Sequence, residues 1–402
     1  MSSHSRQQNA PNESIRSDDS AGTIDSGRTA CKYMAAANLD AMAAADVLSR
    51  SLTVRSVIST TSGYAKRAER YKREPMNAEM EEIGEGFQGA IFEQLGTSMA
   101  MKKEKPGNEN LSSNLRQEFK IHAAVEAAFD QFQVLIDCHV HVPRLLHFKP
   151  KEDNEHFWKI SLQNFPAQHR QPGDMLTMEK ILPVPKVVRR AMIKEFYPAA
   201  EGQPLEPATI ENILRLPKNK NALLRTYFGK EDVTFTTKSF TLRNFPLCLN
   251  AMKRLKLEVE SLVAEMGRAY ALMHWGAGIN GDDVEFVQGT YAVPSNGETT
   301  FSPDLQYRAT GLFLLDFGQC NFVDLAEDCD DVYQAFRGAM VTGDNQSFIP
   351  NLKKTPALFE TFKNAYVEAG RKIISEKKLE AKFNIVEFMQ LYEEYAEDFL
   401  VF

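Results

Sequence analysis

The sequence predicts an α+β fold with two lobes, a small β-rich lobe followed by a larger helical lobe. Residues 80–104 read as strand, glycine turn, strand, turn and strand. Between residues 259 and 273 apolar side chains recur at helical spacing, and residues 323–402 read as about three amphipathic helices. A β-rich unit followed by an α-rich unit in one chain favours two lobes with a cleft between them.

Changes in composition along the 402 residues divide the chain into three segments. Residues 1–75 are predicted to be an N-terminal tail. It is expected to be disordered over 1–30, where large apolar side chains are nearly absent, and helical over the alanine-rich stretch 34–50. Residues 76–185 form the predicted β-rich lobe. Residues 186–402 form the predicted helical lobe.

Within these segments, further elements can be placed. Two more strands are predicted at 141–148 and 157–165, because both stretches are rich in aromatic and apolar residues. The helical lobe is expected to carry an insertion around 190–245, which contains a β-hairpin near 220–245. Prolines near residue 185 end regular structure between the two lobes.

The composition argues against several classes of protein. A net charge of −7 provides no general attraction to nucleic acid or to anionic membranes. The apolar runs are far shorter than the roughly 18 residues that span a bilayer, and the N-terminus lacks the apolar core of a secretory signal. Five widely spaced cysteines without a CxxC pair are typical of reduced thiols and do not fit zinc-finger spacing. We therefore expect an intracellular protein, in the cytoplasm or nucleus, without a membrane partner.

The glycine-rich segment GEGFQG spans residues 84–89. Its GxGxxG spacing is a weak signal by itself, because it also occurs by chance and before a helix in dinucleotide-binding folds. Here the segment that follows reads as strand, turn and strand, which is the arrangement of a kinase glycine-rich loop. Gly84, Gly86 and Gly89 would then let the backbone approach phosphate oxygens with no Cβ in the way. A plain hairpin turn is the alternative.

The segment MAMK at residues 99–102 matches the pattern of the third kinase strand. Strand alternation puts Ala100 and Lys102 on one face, so the Lys102 ammonium points where the small alanine leaves room for a nucleotide. Lys103 faces the other way. Kinase folds pair this lysine with a glutamate of the next helix, and Glu118 has that place on a predicted helix. Taken singly, the two residues could also be a surface lysine and a solvated glutamate.

The tripeptide Asp316-Phe317-Gly318 follows an apolar strand about 230 residues after the glycine-rich segment. In kinases the aspartate of this motif binds Mg²⁺ at the phosphates, so Asp316 is predicted to be both a catalytic residue and a metal ligand. As a bare tripeptide the motif is weak. Its position after a strand, and after the lysine, strengthens the prediction.

The loop over residues 273–287 occupies the place of a kinase catalytic loop, but the usual HRDxxxxN sequence is absent. Asp283 precedes a short strand as the metal-binding asparagine does, and we predict it to be a second Mg²⁺ ligand. The usual catalytic aspartate would fall near residues 278–280, which carry no acid. Asp282 is the nearest candidate for a catalytic base and would serve only if the loop is rebuilt.

These motifs together resemble a protein-kinase-like two-lobed fold. The short segment after Gly318 is closer to aminoglycoside- and choline-phosphotransferase-like folds than to protein kinases. The blocks PRLLHF, FTLRNFPLCLNAM, MHWGAGINGDDVEFVQG and LLDFGQC also resemble an uncharacterised family of fungal proteins, often labelled "zinc finger protein". That resemblance covers about residues 80–345 and implies a kinase-like fold and a fungal origin. It implies no established activity.

Three functional hypotheses remain open. The first is an atypical, small-molecule-type phosphotransferase that uses ATP and Mg²⁺, with residues 178–183, including Glu179, as the hinge strand against adenine. The second is a pseudokinase that binds a protein partner and either keeps or loses nucleotide. The third, a nucleic-acid-binding regulator, is the least favoured because the charge is acidic and zinc-ligand spacing is absent. The altered loop at residues 278–283 separates the first two hypotheses.

Overall fold

The computed structural model describes residues 32–61, 73, 79–86, 88–105, 115–152, 155–199, 205–293 and 305–399. The predicted disordered stretch 1–30 lies outside the described residues. The strands are β1 Lys32–Ala35, β2 Ser56–Thr61, β3 Met80–Glu85, β4 Gly89–Gln94, β5 Met99–Glu104, β6 Leu145–Lys149, β7 Met175–Glu179, β8 Leu224–Tyr227, β9 Phe245–Cys248, β10 Glu285–Val293 and β11 Leu305–Leu315. The helices are α1 Ala36–Asp40, α2 Ala44–Ser51, α3 Leu115–Phe132, α4 Glu155–Ser161, α5 Lys186–Phe196, α6 Pro207–Arg215, α7 Leu249–Arg254, α8 Val259–Ala271, α9 Cys329–Met340, α10 Asn345–Phe348, α11 Pro356–Glu376 and α12 Ile385–Glu397.

Two sheets organise the two lobes. The smaller lobe is a five-stranded sheet in the order β3-β4-β5-β7-β6, and every neighbouring pair of strands in it is antiparallel. The helix α3 lies against this sheet and contacts β6 and β7. The larger lobe holds a six-stranded sheet and most of the helices. The predicted α+β architecture, a small β-rich lobe before a larger helical lobe, is therefore confirmed.

The six-stranded sheet has the strand order β1-β2-β11-β10-β8-β9 and forms the larger lobe's side of the cleft between the lobes. Its centre is the long antiparallel pair of β10 and β11, in which Glu285 lies opposite Leu315. Asp283 comes just before β10 and Asp316 just after β11. This register therefore brings the two predicted metal ligands to the same end of the β10–β11 pair.

Residues 32–61 differ from the helical tail that the composition predicts. The alanine-rich stretch forms two short helices rather than one, and the strands β1 and β2 flank them. β2 pairs with β11, with Val57 opposite Ala309. Alanine favours helix locally, but Val57 and Ile58 are buried in this sheet. The local sequence carries no signal for a pairing with a strand so far along the chain.

The strand predicted over residues 157–165 is wrong. The first part of this stretch belongs to helix α4, and a short 3-10 turn follows it. A short apolar run fits a strand and a buried helix segment equally well. Here Trp158 and Phe165 cover the outer face of the five-stranded sheet, where they pack with Phe92 and Met101. An antiparallel sheet with a second apolar face needs such a cover.

The β-hairpin predicted near residues 220–245 is also wrong. β8 and β9 are neighbours in the sheet, but they are parallel. Parallel strands need a connection of a dozen or more residues, and residues 228–244 supply it as an irregular segment. Phe235 and Phe240 of this segment pack against Phe245, with ring centroids 5.2 and 6.3 Å away. The aromatic positions that suggested a strand thus anchor a crossover.

The three amphipathic helices predicted over 323–402 are confirmed as α9, α11 and α12, with the single turn α10 in addition. They pack round a buried aromatic cluster at the end of α8. The indole of Trp275 donates to the Tyr366 hydroxyl at 2.9 Å, and His274 Nδ1 lies 2.8 Å from the same oxygen. Burial lowers the pKa of His274 to about 3, so its ring is neutral in this core. Within the part of the chain that the structure describes, no helix has both the length and the apolar character needed to cross a membrane.

Lys103 is buried on the outer face of the small-lobe sheet, opposite to Lys102. Only 1% of the residue is exposed. Its ammonium lies 5.6 Å from the centre of the Trp158 ring and 5.8 Å from that of Phe165. Burial lowers the pKa of Lys103 to about 8. Burial of this ammonium costs stability while it is charged, and the attraction of the two rings offsets only part of that cost.

Replacing Lys103 with Met is expected to stabilise the protein near neutral pH, because the change removes a buried charge and keeps a similar volume. The unfolded lysine has a pKa near 10.4, so between about pH 8 and pH 10 the unfolded chain binds more protons and wild-type stability rises with pH. The gain should be on the order of 2 kcal/mol at pH 7 and should shrink toward pH 10. Urea unfolding of the wild type and the variant at these two pH values measures the gain in stability. A loss, or a gain of equal size for the exposed Lys120→Met, would contradict this account.

Candidate functional site

The candidate site is the cleft between the two lobes, which has a volume of about 150 Å³. The glycine-rich loop and the small-lobe sheet form its upper side, with Ile91 and Ala100 among the lining residues. The start of β10 and the end of β11 form its lower side, with Val287 and Leu315. These apolar side chains face each other across a gap of the kind that holds a flat ring.

Lys102, Glu118 and Asp316 meet at one end of this cleft, as the motifs predict. The Lys102 ammonium lies 2.8 Å from Glu118 Oε1 and 2.9 Å from Asp316 Oδ1. The side chains of Lys102 and Glu118 are each 5% exposed, whereas that of Asp316 is 39% exposed. The three residues come from β5, α3 and the turn after β11, so the tertiary fold alone brings them together.

The charges of this trio are unequal. Burial raises the pKa of the Glu118 carboxyl, and the nearby Lys102 charge does not overcome this effect. Burial would lower the pKa of Lys102, but Asp316 and Glu118 outweigh it and raise that pKa above its usual value. Burial would also raise the pKa of Asp316, but the charge and hydrogen bond of Lys102 lower it. Lys102 is therefore a permanent cation whose ionised partner on the open side is Asp316.

Asp283 and Asp316 share an uncommon backbone conformation. Asp316 has a φ of 63° and Asp283 a φ of 53°, both in the left-handed region. Non-glycine residues adopt this region rarely, and aspartate is one of the few that tolerate it. Such strain often occurs at functional sites. Here it lies at the two residues that the sequence predicts to bind metal.

The three glycines of the GEGFQG segment have different structural roles. Gly84 and Gly86 line the cleft, and a Cβ on them would come no closer to a neighbour than 3.4 Å and 3.9 Å. Local packing therefore does not require glycine at either position. A Cβ on Gly89 would lie only 2.6 Å from the Lys103 carbonyl oxygen. Gly89 is thus needed for the close pairing of β4 with β5.

Gln88, in the same segment, ties the loop to the larger lobe. Its side-chain amide donates to the Gly318 carbonyl, two residues after Asp316. Gln88 is 6% exposed, and a Cβ on Gly318 would collide with it. The glycine-rich loop therefore lies low over the Asp316 end of the cleft.

Glu179, predicted to contact a cofactor, lies in the connection between the lobes. Its carboxylate accepts from the Arg144 backbone N–H at 3.3 Å, and its own N–H donates to the Arg144 carbonyl at 2.7 Å. The next N–H, of Lys180, donates to the Ser98 carbonyl at 2.8 Å. Glu179 itself lines the cleft together with Met178 and Ile181, so a base in the cleft would meet all three residues.

The loop before β10 is held by its own network. The Asn280 side-chain oxygen accepts from the backbone N–H of Asn321 at 2.8 Å. Asp282 accepts from the hydroxyl of Thr342, and Asp283 accepts from the backbone N–H of Asp344 at 3.0 Å. Both aspartates are thus hydrogen-bonded to the segment after α9, and neither lines the cleft beside Lys102. The structure brings Lys102, Glu118 and Asp316 together but leaves Asp282 outside that contact group.

A second charged group at the cleft was missed in the sequence. Arg225 of β8 forms an ion pair with Glu285 of β10 and lies 2.9 Å from Asp344 Oδ2. Tyr227 donates to the same Asp344 oxygen at 3.2 Å. Burial raises the pKa of Glu285 to about 7, although Arg225 lowers it. Glu285 comes two residues after Asp283 and could have been noticed for that spacing, whereas Arg225 has no local signal.

The donor chemistry for a metal ion is partly present. Among the described residues, no three His, Cys, Asp or Glu side chains converge to hold a metal by themselves. Mg²⁺ is usually bound through one or two carboxylates, with phosphates and waters completing its shell. Asp316 is half-exposed. Burial raises the pKa of Asp283, and the charges of Asp344, Asp316 and Asp282 add to this effect. Asp316 therefore fits a cation that arrives with a phosphate ligand, whereas Asp283 lies outside the lining of the cleft.

Comparisons with known proteins add little to this geometry. No family model matches the chain, and no curated protein matches it. One similar solved structure is a GDP complex of a mutant aminoglycoside 2′-phosphotransferase-IIIa, with 13% identity, 84% of this chain and 98% of that chain covered, and a TM-score of 0.20. Another is a microcompartment-associated aminopropanol kinase, with 11% identity, 80% and 93% coverage, and a TM-score of 0.18. These TM-scores are too low to establish a shared fold.

The chain's own arrangement defines the class of fold. A five-stranded small lobe with a glycine-rich loop faces a helical lobe, and a strand lysine contacts both a helix glutamate and the aspartate of a DFG turn. This arrangement is kinase-like.

Proposed function

We propose that the cleft binds a nucleoside polyphosphate, with ATP as the first candidate. The observation that best supports this is the Lys102 ammonium, which is fixed between Glu118 and Asp316 at 2.8 and 2.9 Å. In kinase folds the lysine in this contact holds the α- and β-phosphates. Gly84 and Gly86 line the same cleft and leave it open to a close approach by phosphate oxygens.

Asp316 and Asp283 would hold a Mg²⁺ ion together with those phosphates. The ion would supply neutralisation of the charge on the phosphate oxygens. Asp316 keeps an ionised carboxylate, since Lys102 lowers its pKa. Asp283 lies at the same edge of the β10–β11 pair. We propose that the two carboxylates bind this ion only when the phosphates of a nucleotide are present.

We further propose that the protein is a pseudokinase, a binding module that regulates a protein partner. Residues 278–280 carry no acid, and the Asn280 side chain is committed to the Asn321 backbone. Asp282 is hydrogen-bonded to Thr342 rather than directed at the Lys102 trio. Without a placed carboxylate, proton removal from an acceptor hydroxyl loses roughly 10²–10⁴-fold in rate.

One observation favours the second candidate, a small-molecule phosphotransferase. Glu285 lines the same cleft as Asp316, and burial raises the pKa of its carboxyl to about 7. A general base works best with a pKa near the operating pH. Glu285 could accept the proton of an acceptor hydroxyl as that oxygen bonds to the γ-phosphorus and ADP leaves. Phosphoryl transfer depends mostly on positioning and electrostatics, so such a rebuilt site could retain activity.

Family membership and cellular location belong to the same proposal. We place the chain with the uncharacterised fungal family that its MHWGAGINGDDVEFVQG and LLDFGQC blocks resemble, and inside the cell. The family's zinc-finger label does not follow from the sequence, which has no CxxC pair.

A thermal-shift titration with ATP, with and without Mg²⁺, tests nucleotide binding. The titration compares wild type with Lys102→Met and Asp316→Asn, each against its own ligand-free baseline. Ligand at about 100-fold over its Kd should add roughly 2.7 kcal/mol of stability to the wild type. Both variants should lose most of that shift. Lys103→Met, on the opposite face of the same strand, is the matched control and should keep it.

The outcomes separate the candidates. A shift in wild type and in Lys103→Met alone supports the nucleotide site. The absence of any shift at millimolar ATP would overturn it. Single-turnover assays with labelled ATP then test transfer. Loss of a measured rate in Glu285→Gln, with ATP binding kept, would favour the phosphotransferase, and no turnover in wild type would favour the pseudokinase.

A further inference from the structure

A second cavity lies on the other side of the small-lobe sheet, between its outer face and helix α4. Its volume is about 400 Å³, against about 150 Å³ for the cleft. Binding pockets for small molecules commonly measure about 300–1,000 Å³. The cavity shares no lining residue with the cleft, so it can be occupied independently of a nucleotide.

The walls of this cavity are apolar and adaptable. Phe157 and Ile160 of α4 form one side. Four methionines from three strands form the other, namely Met80, Met99, Met101 and Met175. Unbranched thioether side chains repack easily around ligands of different shape and are common at binding surfaces. The walls therefore suit a flexible hydrocarbon chain.

One polar group in the cavity has no partner. The Thr177 hydroxyl, at the centre of β7, is buried and makes no hydrogen bond, and the whole residue is 1% exposed. An unsatisfied buried hydroxyl carries a free-energy cost in the ligand-free protein. A ligand that brings an acceptor oxygen to Thr177 would recover that cost.

Basic side chains also line this cavity, although burial lowers the pKa of both Lys149 and His147. His147 lies opposite Thr177 in the β6–β7 register, and Lys149 lies opposite Met175, so both point to the cavity face. The Lys149 ammonium sits 3.5 Å from the centre of the Phe157 ring, and His156 of α4 also lines the cavity. Among the described residues that line it, none is acidic. The polar end of the cavity is therefore suited to an anion.

We propose that this cavity binds a medium-chain fatty acid. Its carboxylate accepts hydrogen bonds from the Thr177 hydroxyl and the Lys149 ammonium, and its chain packs among the four methionines. The apolar walls alone would accept many neutral ligands. The unpartnered hydroxyl and the Lys149 cation, which line the same cavity, select a carboxylate head. Such a ligand would also brace α4 against the sheet that carries Lys102.

Isothermal titration of the full chain with decanoate, below its micelle concentration, tests the proposal. Decanol, which has the same chain and no charge, is the parallel ligand. Decanoate should bind the wild type at least tenfold more tightly than decanol. Lys149→Glu and Thr177→Val should each weaken decanoate at least tenfold. The exposed Lys120→Glu, on α3, alters net charge equally and should leave the affinity unchanged.

Two results would overturn the proposal. One is the absence of decanoate binding at millimolar concentration in the folded wild type. The other is equal affinity for decanoate and decanol with no effect of Lys149→Glu, which would show that the cavity takes neutral apolar ligands. The ATP titration is independent of both, because Thr177 and Lys149 do not line the cleft.

Discussion

A Lys102→Met variant should lose about 3–5 kcal/mol of stability at neutral pH, apart from any effect on ligand binding. The substitution leaves Glu118, which is 5% exposed, in the core without its cation. Removing one partner of a buried ion pair is costly because the other charge remains desolvated. The buried carboxylate of Glu118 can lose its charge only by binding a proton. Since burial already raises its pKa, the loss should be largest at high pH and should shrink as the pH falls.

The double variant Lys102→Met/Glu118→Met distinguishes this account from a simple packing defect. Replacing both partners with apolar side chains of similar size removes the stranded charge, so most of the lost stability should return. Asp316 is 39% exposed and can be solvated in both variants. Urea unfolding of the wild type, the two single variants and the double variant gives the coupling energy. A double variant as unstable as Lys102→Met would contradict the prediction.

Gly267→Ala should destabilise the helical lobe, although alanine is the better helix former. Gly267 lies within α8, where the intrinsic preference for alanine over glycine is worth about 1 kcal/mol. A Cβ at this position would lie 2.5 Å from the Phe362 carbonyl oxygen and 3.1 Å from the Tyr366 backbone nitrogen of α11. Backbone cannot move aside as a side chain can. Overpacking costs about 1–3 kcal/mol, so the net effect should be a loss.

Gly338→Ala is the matched control for that prediction. Gly338 lies in helix α9, and a Cβ there would meet no atom within 4 Å. Intrinsic propensity then acts alone, and stability should rise by about 0.5–1 kcal/mol. Thermal unfolding of both variants shows whether each substitution raises or lowers the stability. A gain in both, or a loss in both, would show that the close contact of α8 with α11 does not decide the result.

The parts of the site that the sequence predicts are those encoded locally. Alternation along β5 places Lys102 in the cleft and Lys103 outside it, and the DFG turn marks Asp316 by its place after an apolar strand. Glu118 follows from the helix that comes next in the chain. Each of these predictions needs only a periodicity or a spacing in the sequence. The Lys102 ammonium lies 2.8 Å from Glu118 and 2.9 Å from Asp316, in agreement with the predictions.

The parts that the sequence does not predict depend on contacts between distant segments. Arg225 reaches Glu285 only because β8 pairs with β10, and nothing near either residue indicates that pairing. The sequence of helix α4 predicts a strand, because aromatic residues suit both structures and the packing of this helix on the sheet is a tertiary contact. The predicted hairpin gives β9 the wrong direction, because strand signals in a sequence do not distinguish parallel from antiparallel partners.

The pairing of β2 with β11 has a consequence for the protein's synthesis. The ribosome makes β2 early, but its partner, with Val57 opposite Ala309, emerges about 250 residues later. At roughly 5–20 residues per second, β2, whose Val57 and Ile58 are buried in the folded sheet, waits on the order of 10–50 seconds before it can dock. During that interval its edge is open to other nascent chains. We therefore expect a strong need for chaperones early in translation, and a fragment that ends before β11 should aggregate even though it contains the whole small lobe.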